Sequence, residues 1–519
     1  MPARSGRGPY ATSGILDLRR ALSHLHKQDL PKDVWAPDIL FFKDELASQD
    51  ELLIAAAEKI DLLVEPDPPL EVRVPKSPLF VRNGIDLTLP DRVAYQGLVQ
   101  ELEAITEGRL SPKAYASRPD TGSAGRRQQG AVQRWLAFRR DARAALEHCR
   151  GWMIRTDITR YFDFIDHRRL FDLLSESGVP TGHVQVLRAM LGAWTYGSGR
   201  GLPQGPDASR KLGNFYLVEL DESLLAIPGV EYFRYMDDMI VISSSRARAV
   251  AALQLIGDTC YRHGLPLSTQ KTEALPYDRA MTELAGEDLR SAPAGYGEDA
   301  DEDDPEQDPE YLLGVFRQAV RASGQLNQRK AKYSLIRLHR LAADAAVDLT
   351  LKRLEDLGPV AKEAARYLSH WIGDQKVAQR MAIYLGDDDR NTSDFVSAWL
   401  LAAALESPMA CDASLVAVAR RFLQNLNSAP YLRAIAANVT VLSGRTSDAD
   451  AIERIALSEH NPVVVRGAIV ATYRGGRLTK ALQAKLRRRQ GFGATLDYLQ
   501  GRNELPSVLF RDRSAAIHR

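Results

Sequence analysis

The sequence predicts an α+β unit followed by an all-α one, and three observations carry that expectation. Asn83-Gly84 falls between two β-prone runs within residues 72–89, a hairpin signal. Over residues 150–275, short apolar runs that end in acids alternate with helical patterns. From Tyr311 onward strand patterning stops, and segments rich in Ala, Leu and Arg follow one another between Gly- and Pro-marked breaks.

Taken in order, residues 1–70 read as an N-terminal helical segment. Ile15, Leu18, Leu22 and Leu25 share one helix face, as do Leu53, Ala56, Ile60 and Leu63. The hairpin opens the second segment, residues 71–290, and a helix is expected from Pro90 through Ile105. Gly151 to Asp157 reads as a strand ending in an acid, and a helix is expected from His167 through Ser177. Two apolar runs, Tyr232–Met236 and Met239–Ile242, flank Asp237-Asp238, which places the acid pair at a hairpin turn. Residues 291–310 read as an acidic, flexible insertion: Glu298–Glu310 holds nine acids, and so dense a run of like charge cannot bury a core. Residues 311–519 then read as stacked helical pairs. The stretch His460-Asn461-Pro462-Val463-Val464-Val465-Arg466 looks like part of a HEAT-type repeat, with a compact helical bundle as the alternative.

Composition excludes several classes. With 45% hydrophobic and 26% charged residues the chain is globular. The net charge of +1 announces no nucleic-acid binder, although the acidic run masks basic clusters at Arg126, Arg127, Arg134, Arg139 and Arg140, and again from Arg477 to Arg489. Cys149, Cys260 and Cys411 fit neither a disulfide framework nor a Cys-x-x-Cys metal site. No apolar signal core follows Arg4 and Arg7, and no uninterrupted apolar run of about 18 residues appears, so a cytoplasmic protein without a membrane span is expected.

The chemistry is carried by acids. Nucleotidyl transfer uses two divalent cations about 4 Å apart. Hard cations such as Mg²⁺ take carboxylate oxygens, which must come from separate rigid segments. Asp157 at a strand end and Asp237-Asp238 at a turn supply that pattern; a surface acidic turn is the plainer alternative for the pair.

Four stretches occur in the order of a known family. Tyr235-Met236-Asp237-Asp238 resembles the YxDD box of reverse transcriptases. Asp157 through His167 resembles the preceding acid motif, Gly201 through Asn214 the Pro-Gln-Gly motif, and Gly264-Leu265-Pro266-Leu267-Ser268 with Lys271-Thr272 the later lysine motif. The resemblance implies right-hand polymerase fingers and palm over residues 71–290. It implies that Asp157, Asp237 and Asp238 hold Mg²⁺, with Mn²⁺ as a substitute, helped by the Ile158 carbonyl. Phe162 matches the aromatic gate that excludes a ribose 2′-OH, Gln204 and Gly205 would line the nucleotide, and Lys271 would be the general acid for pyrophosphate. Lys76 and Arg82 would grip the triphosphate, and Arg118 falls loosely at a fingers arginine. Core packing for Phe162 and plain surface charge for Lys271, Lys76 and Arg82 remain the alternatives.

The variant Gln204-Gly205-Pro206-Asp207-Ala208-Ser209, joined to a long helical tail, resembles the bacterial abortive-infection and defence-associated reverse transcriptases. That implies a DNA polymerase acting in antiphage defence, template-independent and protein-primed in some members, with dNTPs as substrates, a DNA product and a homo-oligomeric state. A conventional RNA-templated enzyme of a mobile or retron-like element, with a non-coding RNA as template or primer, is the second reading. A catalytically idle scaffold is the third, and the retained acids oppose it.

Overall fold

A computed structural model describes residues 16–30, 35–61, 64–77, 79–118, 131–285, 308–320, 326–406, 411–500, 502 and 504–509. The chain divides into two compact units. Residues 1–33, 53–70 and 85–299 form the first, and residues 34–52, 71–84 and 300–519 the second. The described residues hold strands β1 (Leu70–Pro75), β2 (Val81–Asp86), β3 (Trp152–Asp157), β4 (Glu231–Tyr235), β5 (Asp238–Ser243) and β6 (Glu273–Pro276).

The first unit is built on an antiparallel sheet of order β4-β5-β3-β6. Trp152 pairs with Ser243 and Asp157 with Asp238 across β3 and β5, while Tyr235 pairs with Asp238 across β4 and β5. These strands read as continuous apolar runs because both faces are covered. On one face Met153, Phe233, Ile240, Ile242 and Leu275 meet Trp135, Phe138, Ala142 and Leu146 of the helix Ala131–Cys149, with Ala280 and Leu284 of the helix Tyr277–Ala285. On the other, Ile154, Tyr232 and Val241 are buried and the helix Arg246–Arg262 packs on β3 and β5.

The helix expected from Pro90 runs Leu89–Arg109, with proline in its first turn, where a missing N–H costs nothing. It packs on the helices Leu18–His24 and Asp207–Tyr216. The helix expected from His167 is His167–Glu176, capped by the Asp166 carboxylate, which accepts from the Arg169 N–H.

In the second unit the hairpin β1–β2 forms, but not with the expected turn. The chain reverses at Lys76–Phe80, where the Lys76 N–H donates to the Phe80 carbonyl at 2.8 Å and the Ser77 hydroxyl accepts from the Leu79 and Phe80 N–H groups. Asn83-Gly84 lies inside β2 instead. Gly84 is needed for packing: a Cβ there would stand 3.0 Å from the Trp35 ring. A close-approach glycine and a turn glycine look alike in sequence.

The remainder of the second unit is helical. Gln328–Arg340, Ala361–Ser369, Asp394–Ala403, Pro430–Thr440 and Pro462–Arg474 pack each on the next in one row. Ala413–Gln424 and Thr446–Ser458 pair with the last two, so successive helices form couples. The Asn461-Pro462 break is a helix start. Asn461 caps the Val463 and Val464 N–H groups, and Pro462 occupies the first turn.

The compact units cut across the expected boundaries near residue 70: residues 34–52 and the hairpin belong with the helical unit. Within that unit Gln328 donates to the Lys76 carbonyl at 2.7 Å, and Arg466 binds Asp44 at 2.6 Å and also Asp38. The expected insertion at residues 291–310 lies outside the described residues up to 307. Its last residues open the helix Pro309–Ala319, capped by Asp308. Among the described residues no helix is long and apolar enough to cross a membrane.

Candidate active site

Antiparallel pairing brings the acids together. Asp157 is the last residue of β3 and Asp238 the first of β5, directly opposite one another at the same end of the sheet. Asp237 sits in the turn between β4 and β5. Met236 before it adopts φ +59°, a left-handed conformation that costs a residue with a side chain about 1 kcal/mol or more. That strained step lets two consecutive acids serve one end of the sheet, where an extended strand would send them to opposite faces.

The Gly264–Lys271 segment lies against the end of β3. The Thr159 N–H donates to the Pro266 carbonyl and the Ser268 N–H to the Asp157 carbonyl, each at 2.8 Å, which fixes the backbone around Ile158. The hydroxyls of Thr156 and Thr272 are 2.8 Å apart. This lacing brings the Lys271 ammonium to 2.8 Å from an Asp157 carboxylate oxygen.

The electrostatics follow from crowding. Burial, then the charges of Asp238 and Asp157, hold the Asp237 carboxyl well above the usual carboxylate range. Burial and then Asp157 do the same to Asp238, with Lys271 and Arg155 pulling the other way. Burial opposes the charge on Lys271. The hydrogen bond to Asp157 and the charges of Asp157, Asp238 and Asp237 outweigh it and hold the lysine above its ordinary value. The site is thus an anionic cluster short of positive charge, and its hard oxygen donors fit a divalent cation such as Mg²⁺. As placed, Asp157 is turned to Lys271, and among the described residues no three His, Cys, Asp or Glu side chains already stand as a ligand cluster.

Phe162 lies on the short helix Tyr161–Phe164 that follows the first acid. Its ring is half-buried and seated over Gly213, where a Cβ would stand 3.2 Å from Phe162 Cε1 and 3.3 Å from Tyr161 Cε1. The loop before the helix Asp207–Tyr216 runs beside it: the Gly201 N–H donates to the Ile165 carbonyl and the Leu202 N–H to that of Phe162, both at 2.8 Å. Gln204 is thereby adjacent to Phe162, its amide donating to Asp163 at 3.0 Å, and Arg210 holds the Gly205 carbonyl at 2.6 Å. Phe162, Gln204 and Gly205 therefore share one loop cluster of the first unit.

Other expected residues fall elsewhere. Lys76 and Arg82 are exposed on the hairpin of the second unit. Arg118 is committed to structure: it donates to the Ser111 carbonyl at 2.6 Å and pairs with Glu107 at 2.6 Å. Of the basic cluster before β3, Arg126 and Arg127 lie outside the described residues. Arg139 is buried and donates to the Glu283 carbonyl, and Arg134 donates to the Arg118 carbonyl. Near the C-terminus Arg477 pairs with Glu453, and Arg489 donates to the Ala456 carbonyl.

The sequence reading missed a buried network behind the turn. Arg234 of β4 forks onto Asp221 at 2.6 and 2.8 Å and also binds Asn214 and the Met236 carbonyl. One signal was available: an arginine interrupts the apolar run Tyr232–Met236.

Residues 92–315 match the family model described as Reverse transcriptase (RNA-dependent DNA polymerase). Protein YkfC of Escherichia coli (strain K12) is 26% identical over 252 residues, an alignment covering 39% of this chain and 61% of that protein. The chain thus spans less than two thirds of the length of that curated relative. Two solved structures are similar at 10% identity. Telomerase from Candida albicans in complex with a fragment of telomeric RNA has a TM-score of 0.26 over 56% of this chain and 53% of that one. Apo telomerase from Candida tropicalis has a TM-score of 0.31 over 84% and 69%.

Proposed function

We propose that this chain, which carries a reverse-transcriptase domain over residues 92–315, is a DNA polymerase that adds deoxynucleotides at the Asp157–Asp237–Asp238 end of the sheet. The observation that carries the reading is the cross-strand pairing of Asp157 with Asp238 beside the strained Met236–Asp237 step. An end of a sheet that concentrates three acids against their own repulsion is poorly explained as a scaffold.

Asp157, Asp237 and Asp238 would hold Mg²⁺, or Mn²⁺ in its place. The ions would supply activation of the attacking hydroxyl and charge neutralisation at the pyrophosphate. The chain's own groups do the positioning. Phe162, braced over Gly213, would close the space beside C2′ and so favour deoxyribose. Gln204 and Gly205 would line the nucleotide. Lys271, paired with Asp157, serves first as a counter-charge. Its raised pKa keeps it protonated, so that it would pair with the triphosphate and carry the proton that the leaving pyrophosphate takes up.

The finer assignment is antiphage defence by an abortive-infection type enzyme with a HEAT-like tail, working as a homo-oligomer and without a template, primed by the protein itself. The Gln204–Ser209 variant and the row of helical couples support it. A conventional RNA-templated enzyme remains the rival. The test incubates the full chain with each dNTP and Mg²⁺, with and without template, then digests the product with nuclease and with protease. Incorporation without template into a protease-sensitive species supports the finer reading. Strict template dependence with free DNA supports the rival, and no incorporation under any condition refutes both.

A further inference from the structure

We propose that Arg234 is the positioning residue of the catalytic turn, tying Met236 to the helix that follows the nucleotide-lining loop. The inference rests on the polymerase reading above for its kinetic consequence, but not for its geometry.

A guanidinium has five N–H donors in a rigid plane. Arg234 is fully buried and directs all five at acceptors. Nε and Nη2 donate to the two oxygens of Asp221 at 2.8 and 2.6 Å. Nη1 donates to the Asn214 side-chain oxygen at 2.7 Å and to the Met236 carbonyl at 3.1 Å, and Nη2 also reaches the Asn214 carbonyl at 3.3 Å. Each partner is itself held. Asp221 is fully buried and accepts from the Tyr232 hydroxyl at 3.1 Å, and the Asn214 amide donates to the Ala116 carbonyl at 2.8 Å. The Arg234 backbone is clamped to the segment beside it, its N–H donating to the Lys113 carbonyl and its carbonyl accepting from Tyr115, both at 2.9 Å.

Stability alone is a poor reason for this arrangement, because a buried ion pair is often replaceable by packed hydrophobic residues at no loss. What only an arginine provides is a fixed distance among three elements: β4, the helix Val218–Leu225 that carries Asp221, and the helix Asp207–Tyr216 that carries Asn214. That last helix starts directly after Gln204 and Gly205. The fifth donor goes to the carbonyl of Met236, the residue in the left-handed conformation immediately before the two acids. A strained residue keeps its conformation only where its surroundings over-determine it. Arg234 therefore holds Asp237 and Asp238 in register with the loop that would receive the nucleotide.

The test uses the full chain and three variants. Arg234→Met with Asp221→Leu replaces the ion pair by apolar side chains, so that the fold is kept while the tie to Met236 is lost. Asn214→Ala removes one acceptor and leaves the ion pair. Val241→Ala, in the buried centre of β5 opposite Tyr232, is a destabilised control that leaves every hydrogen bond of the network in place. Melting temperature, dNTP kinetics and Mn²⁺ affinity, read from the spin-resonance signal of free Mn²⁺, are measured for each. The expected result is a fall in kcat of about 100-fold for the double variant and about 10-fold for Asn214→Ala, with the KM for dNTP moving less than about threefold. Mn²⁺ binding weakens in the same order and Val241→Ala keeps both. Wild-type kcat and Mn²⁺ affinity in a folded Asn214→Ala chain would overturn the proposal, whatever the double variant does. A loss in Val241→Ala equal to that of the network variants would overturn it too. If the unaltered chain incorporates no nucleotide, the polymerase reading fails, and Mn²⁺ affinity across the variants still decides this one.

Discussion

Replacing Arg466 by methionine should destabilise the helical unit more than any exposed substitution. Arg466, on the helix Pro462–Arg474, places Nε and Nη2 on the two oxygens of Asp44 at 2.8 and 2.6 Å and reaches Asp38 as well. Asp44 is fully buried, and the Thr495 hydroxyl is its further donor at 2.7 Å. Methionine fills most of the space but leaves Asp44 charged and without its cation. Removing one partner of a buried pair costs about 3–5 kcal/mol. For a unit of this size that is a melting shift of about 6–20 °C. The pH dependence follows from the partner. Burial opposes the Asp44 charge, but Arg466 and then Thr495 hold its carboxyl below the ordinary value of 3.8. A depressed folded value contributes stability above the unfolded value and loses it as pH falls through the folded one. The gap between wild type and Arg466→Met should therefore be full near neutrality and narrow as pH falls below about 4. Urea unfolding of both chains at a series of pH values reads this directly. A difference under about 1 kcal/mol at pH 7, the range of exposed pairs, would show that the Asp38–Asp44–Arg466 contact does not join residues 34–52 to the helix Pro462–Arg474.

Asp237→Asn with Asp238→Asn should abolish dNTP incorporation. Its melting temperature in EDTA should not fall below that of wild type, because burial and mutual repulsion already disfavour both charges; retained incorporation in a folded chain would remove these acids from the chemistry. Phe162→Ala should raise rNTP use relative to dNTP by about 10–100-fold, the worth of one apolar contact in a pocket, and an unchanged ratio would leave the ring as packing only. Burial, then Arg169, pushes His263 down to about 4 from its ordinary 6.5. A lowered histidine prefers to fold neutral, so its contribution is intact above pH 6.5 and is lost as pH falls toward 4, about 3 kcal/mol in all. His263→Gln should flatten that part of the urea-midpoint profile, and identical profiles would show that His263 does not titrate there. Truncation after about residue 350 should abolish incorporation and folding of the second unit together, since it removes Arg466 and Thr495 from buried Asp44; a folded, fully active truncated chain would count against any role for the tail.

The sequence by itself determined the acids and their approximate frame. Asp157 at a strand end and Asp237-Asp238 between two apolar runs were legible because strand burial and turn polarity are local properties, and β3, β4 and β5 form where those runs lie. The order of helices after residue 309 was legible for the same reason, since proline, glycine and asparagine mark helix ends chemically, as Asn461-Pro462 does. What only the tertiary structure decided was partnership. The hairpin turn moved from Asn83-Gly84 to Lys76–Phe80 because Gly84 makes room for Trp35, a residue 49 positions earlier. Arg118 falls loosely at a fingers arginine in sequence, and in the structure it is bound to Glu107 and Ser111. Arg234 read as part of an apolar run, and its five donors meet acceptors on Asn214, Asp221 and Met236. Pattern in sequence reports whether a side chain is buried; which distant group neutralises it depends on how the strands and helices close on one another, and no local period records that.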